Sequence, residues 1–463
     1  MIDRPAAWVA DAAGGRLLAG DPTAPGPRRA VVDSRIAGEG DLFIGLPGER
    51  TDGGRFASAA LERGAWGVLV ESATGDALVA DAATGLAASG APPDGPLVIT
   101  TAEPAAGLAR LAREWRRVLG CRTVGVTGST GKTSTKDILA ALLRPALPTH
   151  ANRENLNTEI GLPLSILEAE RGIEAMVLEM AMRGAGQIAE LAAIAEPEVG
   201  VVVNVGPVHL ELLGTIERVA AAKAELIRDL PPGAACVVPA GEPLLAGHLR
   251  DDLDTIAFGP GGDVTLTAFD GRRARIDCRG APVVLELSYA QPHNVLNTLA
   301  AVAAASALGV TPAGRVEPRF SRLRGEVVEL PGEVTVINDC YNANPMSMRA
   351  ALEDLAAAPV PRRLAILGAM AELGPDSERY HREVGSRAAE LEIDALITVG
   401  ESALAYRDGF DGETHAVATP EEAGALLEEI ARPGDRVLIK GSRSAGLERV
   451  LGEEPERLLG EPK

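Results

Sequence analysis

Residues 127 to 133 read Thr-Gly-Ser-Thr-Gly-Lys-Thr, between the apolar run Thr123 to Val126 and a helical pattern. Strand, glycine loop and helix start in this order make a cradle for phosphate. Along Gly128-Ser129-Thr130-Gly131 the backbone N–H groups can turn inward on phosphate oxygens, Lys132 offers a point charge, and the Thr133 hydroxyl can hold Mg²⁺. The helix N-terminus completes an anion site, so a nucleoside triphosphate is the first expectation. The common phosphate-loop pattern wants glycine at 126 and this chain has Val126; the loop is the shorter T-G-x-x-G-K-T form. The bland alternative is a glycine turn with an exposed lysine.

Other polar residues fall just after apolar runs, where open parallel sheets place their ligands. Glu179 follows Met176-Val177-Leu178, and beside the loop strand its carboxylate can reach a triphosphate-bound cation; a solvated strand-end glutamate is the alternative. His209 lies in Asn204-Val-Gly-Pro-Val-His209 after the Val199 run, either a structural imidazole or a ligand for a second cation. Lys223 is a lone lysine in a small-residue helix, where most lysines only solvate the helix. Asn155, Asn157 and Thr158, next to Asn152, suit oxyanions and sugar hydroxyls, and equally suit loop turns. Asp339, Tyr341, Asn342 and Asn344 crown the run ending at Ile337, and Lys440-Gly-Ser442-Arg443 follows Val437 to Ile439. Two cations on a small turn suit a carboxylate or phosphate, and a basic loop on an acidic protein is the plainer reading.

The elements that must position these residues alternate. A chain of 463 residues is too long for one ordinary core and suggests three domains. We expect boundaries at 1–100, 101–312 and 313–463, with Ala91 to Pro96 and Pro312 to Pro318 as the joints. The middle region alternates apolar strands with Ala/Leu/Glu-rich helices, which predicts a parallel α/β sheet, and the last region repeats the pattern as a smaller Rossmann-like domain. Aromatic content of 3% makes the cores aliphatic. A net charge of −20 argues against a nucleic-acid or anionic-membrane partner. Four scattered cysteines without a C-x-x-C indicate neither a zinc cluster nor a disulfide framework, and no apolar run is long enough to span a membrane. A reducing cytoplasm fits best.

Assembled, these residues resemble the Mur ligase family over nearly the whole chain. Asp33-Ser34-Arg35 and the stretch Gly40 to Gly53, with Asp52, look like that family's uridine-nucleotide entrance; by themselves they read as a strand and a glycine-rich turn. The resemblance implies an α/β first domain, an ATP loop at Thr127 to Thr133, magnesium ligands at Glu179 and His209, and two Mg²⁺ ions in all. It implies a carbamate on Lys223, which would turn an ammonium into an anionic oxygen ligand. Asn294 and Asn297 resemble adenine-side asparagines, Arg324 an arginine reaching across from the third domain, and Asp339 a nucleotide contact. The D-x-Y-N-A-N pattern at Asp339 to Asn344 resembles the branch that joins UDP-N-acetylmuramoyl-tripeptide to D-alanyl-D-alanine, and Tyr341, Asn344, Lys440, Ser442 and Arg443 would then sit near the incoming dipeptide or the nucleotide. Ala369 departs from the family, which often has an acid there, as does Ala181, commonly a glycine.

Such a resemblance implies an ATP-dependent, ADP-forming ligase, working through an acyl phosphate as a monomer, in the synthesis of a peptidoglycan precursor. Two alternatives remain. One is a folylpolyglutamate synthase or another amino-acid-adding ligase, disfavoured by Tyr341-Asn-Ala-Asn344. The other is a nucleotide-gated scaffold without ligation, against which the joint presence of Glu179, His209, Lys223 and Asp339 speaks.

Overall fold

The structure, a computed structural model, describes residues 1, 3–48, 51–83, 97–153 and 155–452. The expected joint at Ala91 to Pro96, and Glu49 and Arg50 of the glycine-rich turn, lie outside the described residues. Three sheets follow one another along the chain. The first holds β1 (Arg16–Ala19), β2 (Arg29–Val31), β3 (Asp41–Ile44), β4 (Gly67–Glu71) and β5 (Leu97–Thr101) in the order β1-β5-β4-β3-β2. All its pairings are parallel except the edge strand β1. Every residue of β3 is buried, as expected of a parallel strand covered on both faces.

The second sheet has ten strands: β6 (Arg122–Thr127), β7 (Thr149–Ala151), β8 (Ala175–Glu179), β9 (Val199–Val202), β10 (Ala235–Pro239), β11 (Asp254–Phe258), β12 (Val264–Phe269), β13 (Arg273–Cys278), β14 (Ala281–Leu287) and β15 (Gly314–Val316). From β7 to β12 it is parallel, with β6 between β8 and β9, so the strand feeding the glycine loop is central. To the expected parallel sheet the structure adds an antiparallel extension, β12, β13 and β14. Their links are too short for a crossover, and Gly271 and Gly280 take left-handed φ values of 91° and 81° at the two turns. Burial in β13 and β14 alternates, the mark of a sheet covered on one face. The joint expected at 312 also shifts: Gly314–Val316 pairs with Leu285–Leu287 and still belongs to the central sheet.

The third sheet holds β16 (Glu326–Leu330), β17 (Val334–Asn338), β18 (Arg362–Gly368), β19 (Ala395–Val399), β20 (Glu413–Val417) and β21 (Asp435–Lys440), in the order β16-β17-β21-β18-β19-β20. It is parallel apart from the β16–β17 hairpin, in line with the Rossmann-like expectation. The carboxyl ends of β17 and β21 carry Asn338 and Lys440 toward the central unit.

Two joints fix the units. The helix Pro104–Leu119 lies between the first and central units, and its buried Trp115 donates from Nε1 to the Ala169 carbonyl at 2.9 Å while meeting Trp8 edge-on at 6.3 Å. At the other joint, Phe320 packs edge-on against Tyr289 at 5.5 Å, and Ser321 donates through N and Oγ to Asp137 at 3.3 and 3.4 Å. Two residues later the Leu323 carbonyl accepts from Tyr341 N in the third unit at 3.1 Å. The chain thus passes from one unit's hold to the next across Arg322, and Leu323 takes a left-handed φ of 60° in doing so. Among the described residues no helix is long and apolar enough to cross a membrane.

Trp115→Ala should remove a packed indole and orphan the Ala169 carbonyl. We expect a loss of about 3–5 kcal/mol, read as a lowered urea midpoint for the transition of the first two units; an unchanged midpoint would contradict this role for the helix.

Candidate active site

A cleft of about 1840 Å³ opens between the central and third units. Its central wall begins with the glycine loop. Gly131 holds a left-handed φ of 75°, and a Cβ there would lie 2.8 Å from the Asn297 side chain, so only glycine lets loop and asparagine approach this closely. Ser129 N and Thr130 N donate to Asn204 Oδ1 at 3.1 and 3.0 Å, and Asn204 Nδ2 donates back to the Thr130 carbonyl at 3.1 Å. The helix Lys132–Leu143 starts at the loop, leaving its first N–H groups without intrahelical acceptors. Lys132 Nζ bends across the cradle to the Gly128 carbonyl at 2.9 Å. Burial pulls the Lys132 pKa down, Glu179 opposes this, and Arg324 adds to it.

Beside the loop, Glu179 is only 1% exposed, and both of its carboxylate oxygens accept hydrogen bonds. Its Oε2 accepts from the Thr133 hydroxyl at 2.7 Å and its Oε1 from Asn157 Nδ2 at 2.8 Å. Asn152 clamps its backbone, accepting from Glu179 N at 2.9 Å and donating to its carbonyl at 3.1 Å. Lys136 in turn holds the Asn152 carbonyl at 2.6 Å. Lys223, on the helix Ile216–Asp229, is 2% exposed and so does not solvate that helix. Burial first, then Lys132, drives its pKa well below the ordinary lysine value. His209 takes a left-handed φ of 53°, and its Nδ1 meets the carboxylate of Glu372 from the third unit. Burial lowers the His209 pKa although Glu372 pulls it the other way.

On the facing wall the Arg324 guanidinium stacks on Tyr341, 4.1 Å from the ring centroid, and its Nε is buried without a partner. Asp339 is bonded by Lys440 Nζ at 2.5 Å, and the same ammonium reaches the Asn342 carbonyl at 3.2 Å. Lys440 is therefore committed inside the protein, where a free ligand cation was expected. Asn344, expected to meet substrate, caps the helix Pro345–Ala356: its Oδ1 accepts from Ser347 N at 2.9 Å, and Ser347 Oγ accepts from Asn344 N at 3.1 Å. Ser442 Oγ accepts from Ala371 N at 2.8 Å, bracing the loop after β18, and Ser442 N bonds the Ala369 carbonyl at 2.9 Å, a contact that needs no acidic side chain at 369. Arg443 remains largely exposed, 3.6 Å from Glu448.

The cleft thus gathers Ser129 to Thr133, Asn155, Asn157, Thr158, Glu179, His209, Lys223, Asn294, Asn297, Arg324, Asp339, Tyr341, Asn344, Lys440, Ser442 and Arg443 on its walls. It does not gather Ser34, Arg35 and Asp52. Those stay on the first unit, where exposed Arg35 pairs with Asp33 at 2.7 Å and Asp52 Oδ1 caps Gly54 N at 2.8 Å. Asn152 and Asn204, expected among the strand-end polar groups, serve here as braces, and Glu372, given no role from sequence, shapes the site as well. Asn204 follows an apolar run and Asn152 opens an asparagine-rich segment, both visible signals; nothing local marks Glu372. Among the described residues no group of three or more His, Cys, Asp or Glu could by itself hold a metal ion. Thr133 and Glu179 could be donors to one cation and His209 to a second, which Lys223 could join only after chemical change.

Residues 126–305 match the Mur ligase middle domain and residues 323–443 the Mur ligase glutamate ligase domain. A UDP-N-acetylmuramoyl-tripeptide--D-alanyl-D-alanine ligase of Mycobacterium tuberculosis is 37% identical, with 97% of both chains covered. The chain belongs to the Mur ligase family. Among solved structures, MurF from Acinetobacter baumannii superposes with a TM-score of 0.83 at 27% identity, covering 98% of this chain and 99% of that one. MurF ligase from Thermotoga maritima in complex with ADP gives 0.77 at 32% identity, covering 93% and 98%.

For this Mur ligase the close approach at Gly131 carries a consequence. Gly131→Ala should weaken ADP binding roughly tenfold or more, since φ > 0 and the Asn297 contact both oppose a Cβ. Calorimetric titration with ADP measures this, with unchanged far-ultraviolet dichroism as control; wild-type affinity would mean that the loop adapts.

Proposed function

We propose that the protein is an ATP-dependent ligase that joins the terminal carboxylate of UDP-N-acetylmuramoyl-tripeptide to the amine of D-alanyl-D-alanine, releasing ADP and phosphate and yielding the pentapeptide precursor of peptidoglycan. Carboxylate oxygen is a poor leaving group, so the acid must first be activated. A carboxylate oxygen attacks the γ-phosphorus, the bond from that phosphorus to the ADP oxygen breaks, and an acyl phosphate forms. The dipeptide amine then adds to the carbonyl carbon, loses a proton, and expels inorganic phosphate.

The observation that carries this reading is the meeting of Lys132, Glu179, His209 and Lys223 with Arg324 and Asp339 around one cleft. Lys132 and the N–H groups at the helix start neutralise the phosphoryl oxygens, and catalysis is largely positioning and charge stabilisation. Asn294 and Asn297 take the adenine side, Arg324 reaches over from the third unit, and Asp339 faces the nucleotide. Thr133 and Glu179 would hold one Mg²⁺ and His209 a second, and the cations would supply positive charge to the phosphate oxygens. Burial and the charge of Lys132 lower the Lys223 pKa, which favours the amine that adds carbon dioxide to become a carbamate and an oxygen donor. Asn155, Asn157, Thr158 and Tyr341 line the path of the peptide, while Ser34, Arg35 and Asp52 bind the uridine nucleotide on the first unit. The cytoplasm, where ATP is abundant, suits the reaction.

ADP release from ATP should require both UDP-muramoyl tripeptide and D-Ala-D-Ala; release that ignores the dipeptide would point to a nucleotide-gated scaffold instead. Lys132→Ala should lower turnover by roughly 100-fold or more, and an undiminished rate would refute its role. Lys223→Ala should lose activity and regain part of it with added small carboxylates. Full activity before any rescue would dismiss the carbamate.

A further inference from the structure

Glu372 stands in the loop after β18 of the third unit, while His209 stands in the loop after β9 of the central unit, and the carboxylate of one meets Nδ1 of the other. Several observations mark this as a built contact. The Glu211 N–H donates to the Glu372 carbonyl at 3.2 Å, so the two backbones are joined as well. A Cβ added at Gly374 would already touch Glu211 Cα at 3.4 Å. Met346 seats on Gly206 of the same central loop so closely that a Cβ there would lie 1.9 Å from its sulfur. Both His209 and Glu372 hold left-handed φ values, 53° and 61°, a conformation that non-glycine residues keep only where their surroundings impose it. Arg183 Nε lies 3.6 Å from the other Glu372 oxygen, a loose, exposed ion pair.

A neutral imidazole has one proton to place. A carboxylate can only accept, so opposite Glu372 the proton sits on Nδ1 and the lone pair on Nε2. A carboxylate behind the far nitrogen fixes both the tautomer and the ring angle of a ligating histidine. Here that carboxylate comes from a different unit.

We propose that Glu372 is a positioning residue of the cation site: it holds His209 with Nε2 as the ligating nitrogen, and because it belongs to the third unit, the site reaches full affinity for a divalent cation only when that unit is docked. This rests on the cation role given to His209 above.

The test uses the full chain with a non-hydrolysable ATP analogue and Mn²⁺ as the probe. Free Mn²⁺ is counted by electron paramagnetic resonance, and the His209 tautomer is read from ¹⁵N imidazole shifts assigned with His209→Ala. Glu372→Ala should weaken Mn²⁺ binding roughly tenfold and convert the His209 signal from Nδ1–H to a tautomer mixture. Glu372→Gln, whose amide oxygen still accepts the Nδ1 proton, should keep most of the affinity and the tautomer. Met346→Trp leaves Glu372 and His209 in place but overfills the seat on Gly206, and should weaken Mn²⁺ by a similar factor while small-angle scattering reports an open form. Wild-type affinity in Glu372→Ala, or an equal loss in Glu372→Gln, would overturn the positioning role. Wild-type affinity in an open Met346→Trp protein would overturn the link to docking. If His209→Ala itself binds Mn²⁺ normally, the cation role of His209 fails, a result distinct from the others.

Discussion

Lys132 and Lys223 share one desolvated cleft and repel each other, and burial and this repulsion both press the Lys223 ammonium to give up its proton. In a chain with net charge −20 such a pocket of positive charge is local and has to be constructed. It suits a polyanion that arrives from solution, because the protein's own carboxylates are otherwise occupied. Glu179 is tied to Thr133 and Asn157, and Asp339 is neutralised by Lys440. The field left over points at the place where a triphosphate's oxygens would lie, and low local dielectric makes that field strong.

A field of this kind is useful only if its sources do not move when charge shifts. Asparagines provide that fixity, being able to donate and accept at once. Asn204 braces the glycine loop by two accepted bonds and one donated. Asn152 braces the backbone of Glu179 by one accepted bond and one donated, and Lys136 secures Asn152 in turn. These bonds tie neighbouring strands of one sheet, so the cradle and the carboxylate beside it are set by the central unit alone.

The other wall of the cleft belongs to the third unit. Arg324 on Tyr341 and Asp339 with Lys440 are formed within that unit, and Glu372 against His209 spans the joint at Arg322. The single-residue handover between Ser321, held by Asp137, and Leu323, held by Tyr341, concentrates any swing of that unit in one place. Chemistry that needs both walls is thereby tied to closure.

The phosphate loop, the strands before and after it, and the acid at the end of β8 were legible from residues 123 to 179, because strand period, glycine spacing and helix start are local properties carried by a few adjacent side chains. The polar residues at strand ends were legible for the same reason, and the antiparallel turns at Gly271 and Gly280 had a signal that a pattern of alternating strands and helices overrode. What the sequence could not settle was how each polar group is used once its neighbours arrive. Lys440 serves Asp339 and Asn344 serves a helix start, while Glu372, 163 positions from His209, becomes its partner. Such assignments depend on which units face each other and at what distance, and hydrogen bonds and ion pairs fall off within an ångström or two. Local pattern therefore fixed the kinds of groups available, and tertiary packing decided which of them remain free for a ligand.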